Sequence, residues 1–437
     1  MNYLYVDEKG PQETIRITHP FDEDRKIKLG NDDMRVYIAD MIKVSDDVLD
    51  EVDNAYKVLE GEYISTRKFS LEKELKGKDI LKGNFQYGIA SLKRREIDFY
   101  TGLFKLLIEK SVDNLLFAIN KMSLVIDARL VDWILDLERK RHIESAVLFK
   151  YSLVKYCEIE ACEEVIQSLF NANSNPKDIL TEIQKDMTTF VENNKKNRRM
   201  EIQLKEYKRI IKTIRRAKYL AKKDFFEGVF FSWDKVKFDI DLWFTEHEYR
   251  NNWNLSSFMV ILDEGIPSQP FDEFNFASIR DNENSIDHTG LRIADMLVTI
   301  TGNYISRLVS DSRYDKENPE QIKYLSSKWF ELDKDQFNLV HLMADFLFRD
   351  DSVYGFVVDT YFDDALLFET FCHYIKLFDS FEKFKQLLSE KHTINLLSHF
   401  KQIINKKWQL GLENERLARM KYGDLRTGIK EGVIRPI

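Results

Sequence analysis

Two short apolar runs in this chain each end on paired carboxylates followed by a glycine, and this repeat restricts the fold more than any other feature. Phe258 to Leu262 is an apolar run of strand length, and Asp263-Glu264-Gly265 breaks it with a turn signal. At the amino terminus, Tyr3-Leu4-Tyr5-Val6-Asp7-Glu8-Lys9-Gly10 makes the same offer. After the later run and a polar bridge, Leu291, Ile293, Ala294, Leu297, Val298, Thr301 and Ile305 recur at close to helical spacing. Asp295 stands at the edge of that stripe, where a carboxylate needs a partner because an unpaired buried charge is costly. Two acid-tipped strands and one helix acid suggest a cluster that holds hard divalent cations through oxygen. Two such ions can clamp the attacking and leaving oxygens of a phosphoryl displacement. Taken singly, each acid pair is also simply a turn that follows a strand.

The chain of 437 residues predicts two or three domains and a sizeable core. Only seven prolines and 16 glycines, against many Lys, Glu and Leu, tilt it toward helix. A net charge of −8 excludes a global basic field for nucleic acid, so any such surface must be local. The three cysteines, Cys157, Cys162 and Cys372, lack metal-site spacing, and their odd number argues against a disulfide framework. With no signal-peptide pattern at the amino terminus and no apolar run of membrane-spanning length, a cytoplasmic protein without a membrane partner is expected.

In chain order, Tyr3–Val6, Thr14–Thr18 and Arg35–Val44 predict three strands of an antiparallel meander, with turns at Gly10-Pro11 and Gly30-Asn31. A helical pattern follows from Asp46, and the charged stretch Phe69–Ile80 reads on residues alone as a solvated helix end capped by Gly77. Arg94 to Glu109 predicts another helix, and Asn114–Asn120 and Ser123–Ile126 offer further strand. Ala128 to Asp224 is almost wholly helical in pattern. Phe225–Trp233 and Val236–Phe244 read as strands or an aromatic hairpin. Beyond a polar linker at Asp311–Asp315 the pattern is helical, up to a Gly-rich tail from Lys421 expected to extend across a surface. The expected architecture is an α/β (α+β) core with a mixed sheet, a large helical insertion and an all-α C-terminal domain. Its divisions are 1–127 and 225–310 for the two halves of the core, 128–224 for the insertion and 311–437 for the last domain.

Residues 195–223 hold 13 Lys and Arg against two acids, Glu201 and Glu206. Lys205, Lys208, Arg209, Lys212, Arg215 and Arg216 form a basic stripe beside an isoleucine-rich strip, suited to nucleic-acid phosphates. A long solvated helix packed through its isoleucines explains the same pattern. Several motifs are absent: Walker A, GxGxxG, GxSxG and HExxH. Cys372 and His373 are neighbours on a helix and face different ways, which disfavours a Cys/His nucleophile. His288, two turns before Asp295, is placed either to start the helix or to touch a bound phosphate or water.

Taken in order, Tyr5-Val6-Asp7-Glu8-Lys9-Gly10, Glu74-Leu75-Lys76-Gly77, Val260-Ile261-Leu262-Asp263 and Leu291-Arg292-Ile293-Ala294-Asp295 form a set. The set resembles the domain-of-unknown-function 3800 family, whose members look like RNase H-type folds. The resemblance covers about 1–127 and 225–310, with Lys9 where the family has Ser, Arg292 where it has Gln, and Asp287-His288 where Ser-Lys is commoner. It implies that Glu74 joins Asp7, Asp263 and Asp295 as catalytic metal ligands for Mg²⁺ or Mn²⁺, with Glu8, Glu264 and His288 supporting them. The implied activity is a metal-dependent nuclease, in a bacterial accessory or antiphage role. The alternatives are a non-catalytic RNase H-like scaffold and a small-molecule phosphohydrolase. The scaffold would bind a protein partner, or a second copy of the chain, through its helical regions.

Overall fold

The computed structural model describes residues 1–9, 15, 29, 35–66, 74–83, 85–222, 226, 228–229, 231, 233, 237–312, 325–348, 356–358 and 363–433. At its centre lies a mixed sheet of six strands: β1 (Asn2–Lys9), β2 (Val36–Ser45), β3 (Asp113–Asn120), β4 (Phe258–Asp263), β5 (Ser278–Glu283) and β6 (Phe356–Val358). Their order is β5-β4-β1-β2-β3-β6. Strand β2 is antiparallel to both its neighbours, and every other pairing is parallel. The central strands are buried on both faces, which is why they read as continuous apolar runs without alternation.

Helices cover both faces. On the first face Tyr5, Ile38, Ile42, Leu116 and Ile261 share one core with α1 (Leu49–Ser65), α3 (Arg94–Glu109), α10 (Thr289–Asp311), α11 (Lys334–Leu347), α12 (Asp363–Lys376) and α14 (Ser389–Leu417). On the second face Val6, Tyr37, Phe117 and Val260 pack with α4 (Lys121–Arg139), α5 (Ala146–Ile159), α6 (Glu163–Phe170), α7 (Pro176–Asn194), α8 (Glu201–Ala217) and α9 (Lys237–Asn251). Arg35, at the entry to β2, joins the two layers through Glu158 of α5 at 2.6 Å and Asp364 of α12 at 3.2 Å.

Helix α3 lies where its periodicity placed it, and the acid-tipped runs are β1 and β4. Several expectations need correction. Ser123–Ile126 belongs to α4, because the Asn120 side chain caps the Ser123 N–H at 3.0 Å and starts a helix directly after β3. Most of Val236–Phe244 is helix α9, its Trp243 buried against Trp253 and its Phe244 under Phe274 and Phe276. Gly77 opens a short helix, α2 (Gly77–Leu81), instead of ending one. The polar bridge after β4 supplies an edge strand, β5. The tail is not extended: α15 (Leu425–Lys430), capped by Asp424, seats Ile429 against Leu242 of α9. Nor is 311–437 all helical, since β6 pairs with β3 and helices α11, α12 and α14 share the first core. Of the predicted Thr14–Thr18 strand only Ile15 is described, its N–H donating to the Val229 carbonyl at 2.5 Å. The turns at Gly10-Pro11 and Gly30-Asn31 lie outside the described residues. No helix among the described residues is long and apolar enough to cross a membrane.

Candidate functional site

Because side chains alternate along a strand, Tyr5 and Asp7 of β1 face the α10 layer while Val6 and Glu8 face the other. Val6 pairs with Leu262 across the parallel β1–β4 ladder, so Asp7 and Asp263 are the next residues on adjacent strands, at the carboxyl end of both. The two carboxyls lie close enough for each to perturb the ionisation of the other. Helix α10 crosses this face and brings Asp295, whose Oδ2 accepts the Gly77 N–H at 2.7 Å. Glu74 enters from the segment before α2 and contacts Ser285 Oγ at 2.9 Å through both carboxylate oxygens. All four acids named from the sequence are thus brought to one end of the sheet, under one helix.

Lys76 reaches the cluster through Glu74. Its ammonium is ion-paired with Glu74 and donates to Ser285 Oγ at 2.9 Å, and its side chain is 34% exposed. Burial pushes the Asp7 carboxyl well above the ordinary range, with the Asp263 and Asp295 charges adding to the rise and the Glu8 N–H and Lys76 opposing it. Asp263 and Asp295 are raised too, chiefly by burial, and Lys76 lowers both. Buried like charges that disfavour their own ionisation are a site short of positive charge.

The backbone carrying Glu74 and Lys76 is braced from both sides. Glu60 of α1 accepts the Leu75 N–H at 3.4 Å and pairs with Arg292 of α10 at 2.5 Å. Arg292 is buried, lies over the Tyr56 ring and donates to Thr289 Oγ1 at 3.1 Å. It faces the interior of the protein and reaches the site through Glu60.

The expected supporting residues divide. Glu8 points away from the cluster into the other layer, where Tyr37 and Trp233 (2.9 Å) donate to its Oε2 and burial lifts its carboxyl to about 7. Glu264 is exposed in the turn after β4, and what it gives Asp263 is its backbone N–H. His288 holds the N-cap position of α10 with its Nε2 2.9 Å from Glu283 of β5, a helix-start role.

Three residues absent from the sequence reading of the site matter. Lys76 and Ser285 are two. The third is Asp40, fully buried, directly opposite Asp7 in the β1–β2 register and on the same face. Burial pushes its carboxyl far up, against the Asn114 side chain and the Met41 N–H. An acid at the centre of the apolar strand VYIADMIKV was the available signal.

The basic stripe lies elsewhere. Lys205, Lys208, Arg209, Lys212, Arg215 and Arg216 are exposed on α8, whose Leu204, Tyr207, Ile210, Ile211 and Ile214 pack in the second layer, across the sheet from the acids. Arg209 pairs with Glu206 at 3.0 Å. Among the described residues no three His, Cys, Asp or Glu side chains converge closely enough to enclose a metal ion. In comparisons with protein-family models, curated proteins and solved structures, the chain and its fold matched none.

Proposed function

We propose that this protein is a metal-dependent nuclease, hydrolysing phosphodiester bonds at the cluster of Asp7, Glu74, Asp263 and Asp295. The observation that carries this reading is the convergence of four acids, from four separate segments, at the carboxyl ends of β1 and β4 beneath α10. A mixed sheet in which only β2 runs backwards suits the RNase H-like core that the sequence resemblance implies.

The residues fit a hard divalent ion in kind. All four donors are carboxylates, and three of them carry raised pKa values that a cation would relieve. Asp7, Asp263, Asp295 and Glu74 would hold Mg²⁺ or Mn²⁺, which would supply Lewis-acid charge and a water of lowered pKa. The chain's own part is positioning. Gly77 N–H fixes one oxygen of Asp295, Ser285 fixes Glu74, and the Glu60–Arg292 pair fixes the backbone between them. Exposed Lys and Arg on α8 would hold phosphates without reading sequence, at a contact separate from the cluster.

The test is cleavage of labelled single- and double-stranded DNA and RNA with Mg²⁺, Mn²⁺ or EDTA, comparing wild type with Asp7→Asn and Asp295→Asn. Metal-dependent cutting lost in both variants supports the reading. No cutting, together with no metal-induced rise in melting temperature, sinks it and leaves a scaffold that binds a protein partner through its helices.

A further inference from the structure

The four acids are not free of countercharge in this structure: Lys9 acts on Asp295, and Lys76 is in direct contact with Glu74. The Lys76 ammonium sits against Glu74 and Ser285 Oγ, and Ser285 in turn touches both oxygens of Glu74. An ammonium and a hard divalent ion compete for the same partners, carboxylate and hydroxyl oxygens. The backbone on either side of Lys76 is pinned, Leu75 N–H to Glu60 and Gly77 N–H to Asp295, whereas the half-buried head lies at the end of a flexible stem. The side chain can therefore leave the cluster without moving the segment that carries Glu74.

Resting on the metal-site reading above, we propose that Lys76 is an exchangeable resident cation. It occupies the charge position of the divalent ion in the ion-free protein and competes with that ion for Glu74. Of the four acids Glu74 is the one in contact with the ammonium, so the competition is for that carboxylate. The site's affinity for a divalent ion is then the intrinsic affinity reduced by the fraction of time Lys76 is in place. A site open about one tenth of the time binds about tenfold more weakly than one always open.

The experiment is a titration of the full chain with Mn²⁺ alone, following free Mn²⁺ by its electron paramagnetic resonance signal, so that no turnover is needed. Lys76→Met and Lys76→Gln keep an unbranched stem one atom shorter and remove the charge, and each should bind Mn²⁺ about tenfold or more tightly than wild type. Lys76→Arg keeps the charge and should stay near wild type. Urea unfolding of each variant establishes that it is folded, and the Gln variant decides the matter should the Met variant fail to fold. Equal or weaker binding in the neutral variants, while wild type binds, overturns the proposal and leaves the metal-site reading standing. No Mn²⁺ binding by any of the proteins overturns both.

Discussion

Gly77→Ala tests the geometry of the site without touching a charged group. A Cβ on Gly77 would lie 2.6 Å from Thr299 Cβ and 2.9 Å from both Thr299 Cγ2 and Oγ1, on a face of α10 that is buried. The obstacle is steric, since Gly77 starts a right-handed helix that alanine favours, by about 0.4–1 kcal/mol relative to glycine. Against that gain stands overpacking of a buried contact, about 1–3 kcal/mol. If α2 backs away, the 2.7 Å Gly77 N–H bond to the Asp295 carboxylate weakens as well, about 1.5–3 kcal/mol for a bond to a charged group. The net expectation is a loss of about 2–5 kcal/mol in urea unfolding in EDTA, with weaker Mn²⁺ binding beside it. Rescue discriminates further. Thr299→Ala leaves the Cβ at 2.6 Å and should not restore the alanine variant, whereas Thr299→Gly removes all three contacts and should recover at least about 1 kcal/mol after its own helix cost. A Gly77→Ala protein within about 0.5 kcal/mol of wild type, or equal rescue by both Thr299 variants, would refute the close approach of α2 and α10.

Asp7→Asn should stabilise the ion-free protein at neutral pH. Because the folded-state pKa of Asp7 is raised, the folded protein holds its proton longer, so stability present below the ordinary carboxylate range is lost as pH rises. Thermal melting in EDTA should show the variant's advantage growing above pH 4 and absent below it, and an advantage that does not depend on pH would contradict this. Glu8, lifted from 4.5 to about 7, loses stability across the window from about pH 4.5 to 7, about 3 kcal/mol at about 1.4 kcal/mol per unit. Glu8→Gln should flatten that slope in urea midpoints. Arg292→Met strands the buried Glu60 and should cost about 3–5 kcal/mol, while Glu60→Gln together with Arg292→Met should recover much of the loss, as read by a double-mutant cycle. Reversing Lys208, Lys212 and Arg215 to Glu should weaken nucleic-acid binding and flatten its salt dependence by about 0.9 per lost phosphate contact, and an unchanged slope on titration would clear α8 of that role.

What the sequence revealed of the site, and what it hid, follows from local signals. Asp7 and Asp263 were legible because each ends an apolar run at a strand's carboxyl end, and Asp295 because it interrupts a helical stripe. Strand register then brings the first two side by side, which no local pattern could show. Glu74 and Lys76 sit in a charged stretch with no periodicity of their own, held between α1, just before it in the chain, and α10, more than 200 residues on. Glu8 shares its motif with Asp7 but, one residue along, turns to the opposite layer, as strand alternation requires. Strand β5, SIRDNE, escaped because an edge strand exposed along much of its length has no apolar pattern to read. Helix α9 misled through the alternation Phe238-Asp239-Ile240-Asp241-Leu242, a strand-like period overridden by tertiary packing.

The central position of β1 has a consequence for how the chain is made. It leaves the ribosome before the two strands that flank it, and β2, completed by Ser45, can cover one of its edges almost at once. The other edge waits for β4, which begins at Phe258. At about 5–20 residues per second, that edge of a strand with an apolar centre, Tyr3 to Val6, stays open for on the order of tens of seconds. Asp263 reaches Asp7 only when β4 pairs with β1, and the helix that covers both, α10, follows later still. Synthesis in the cell therefore places the greatest demand for chaperone protection on the interval between residues 45 and 258, before the two halves of the candidate site have met.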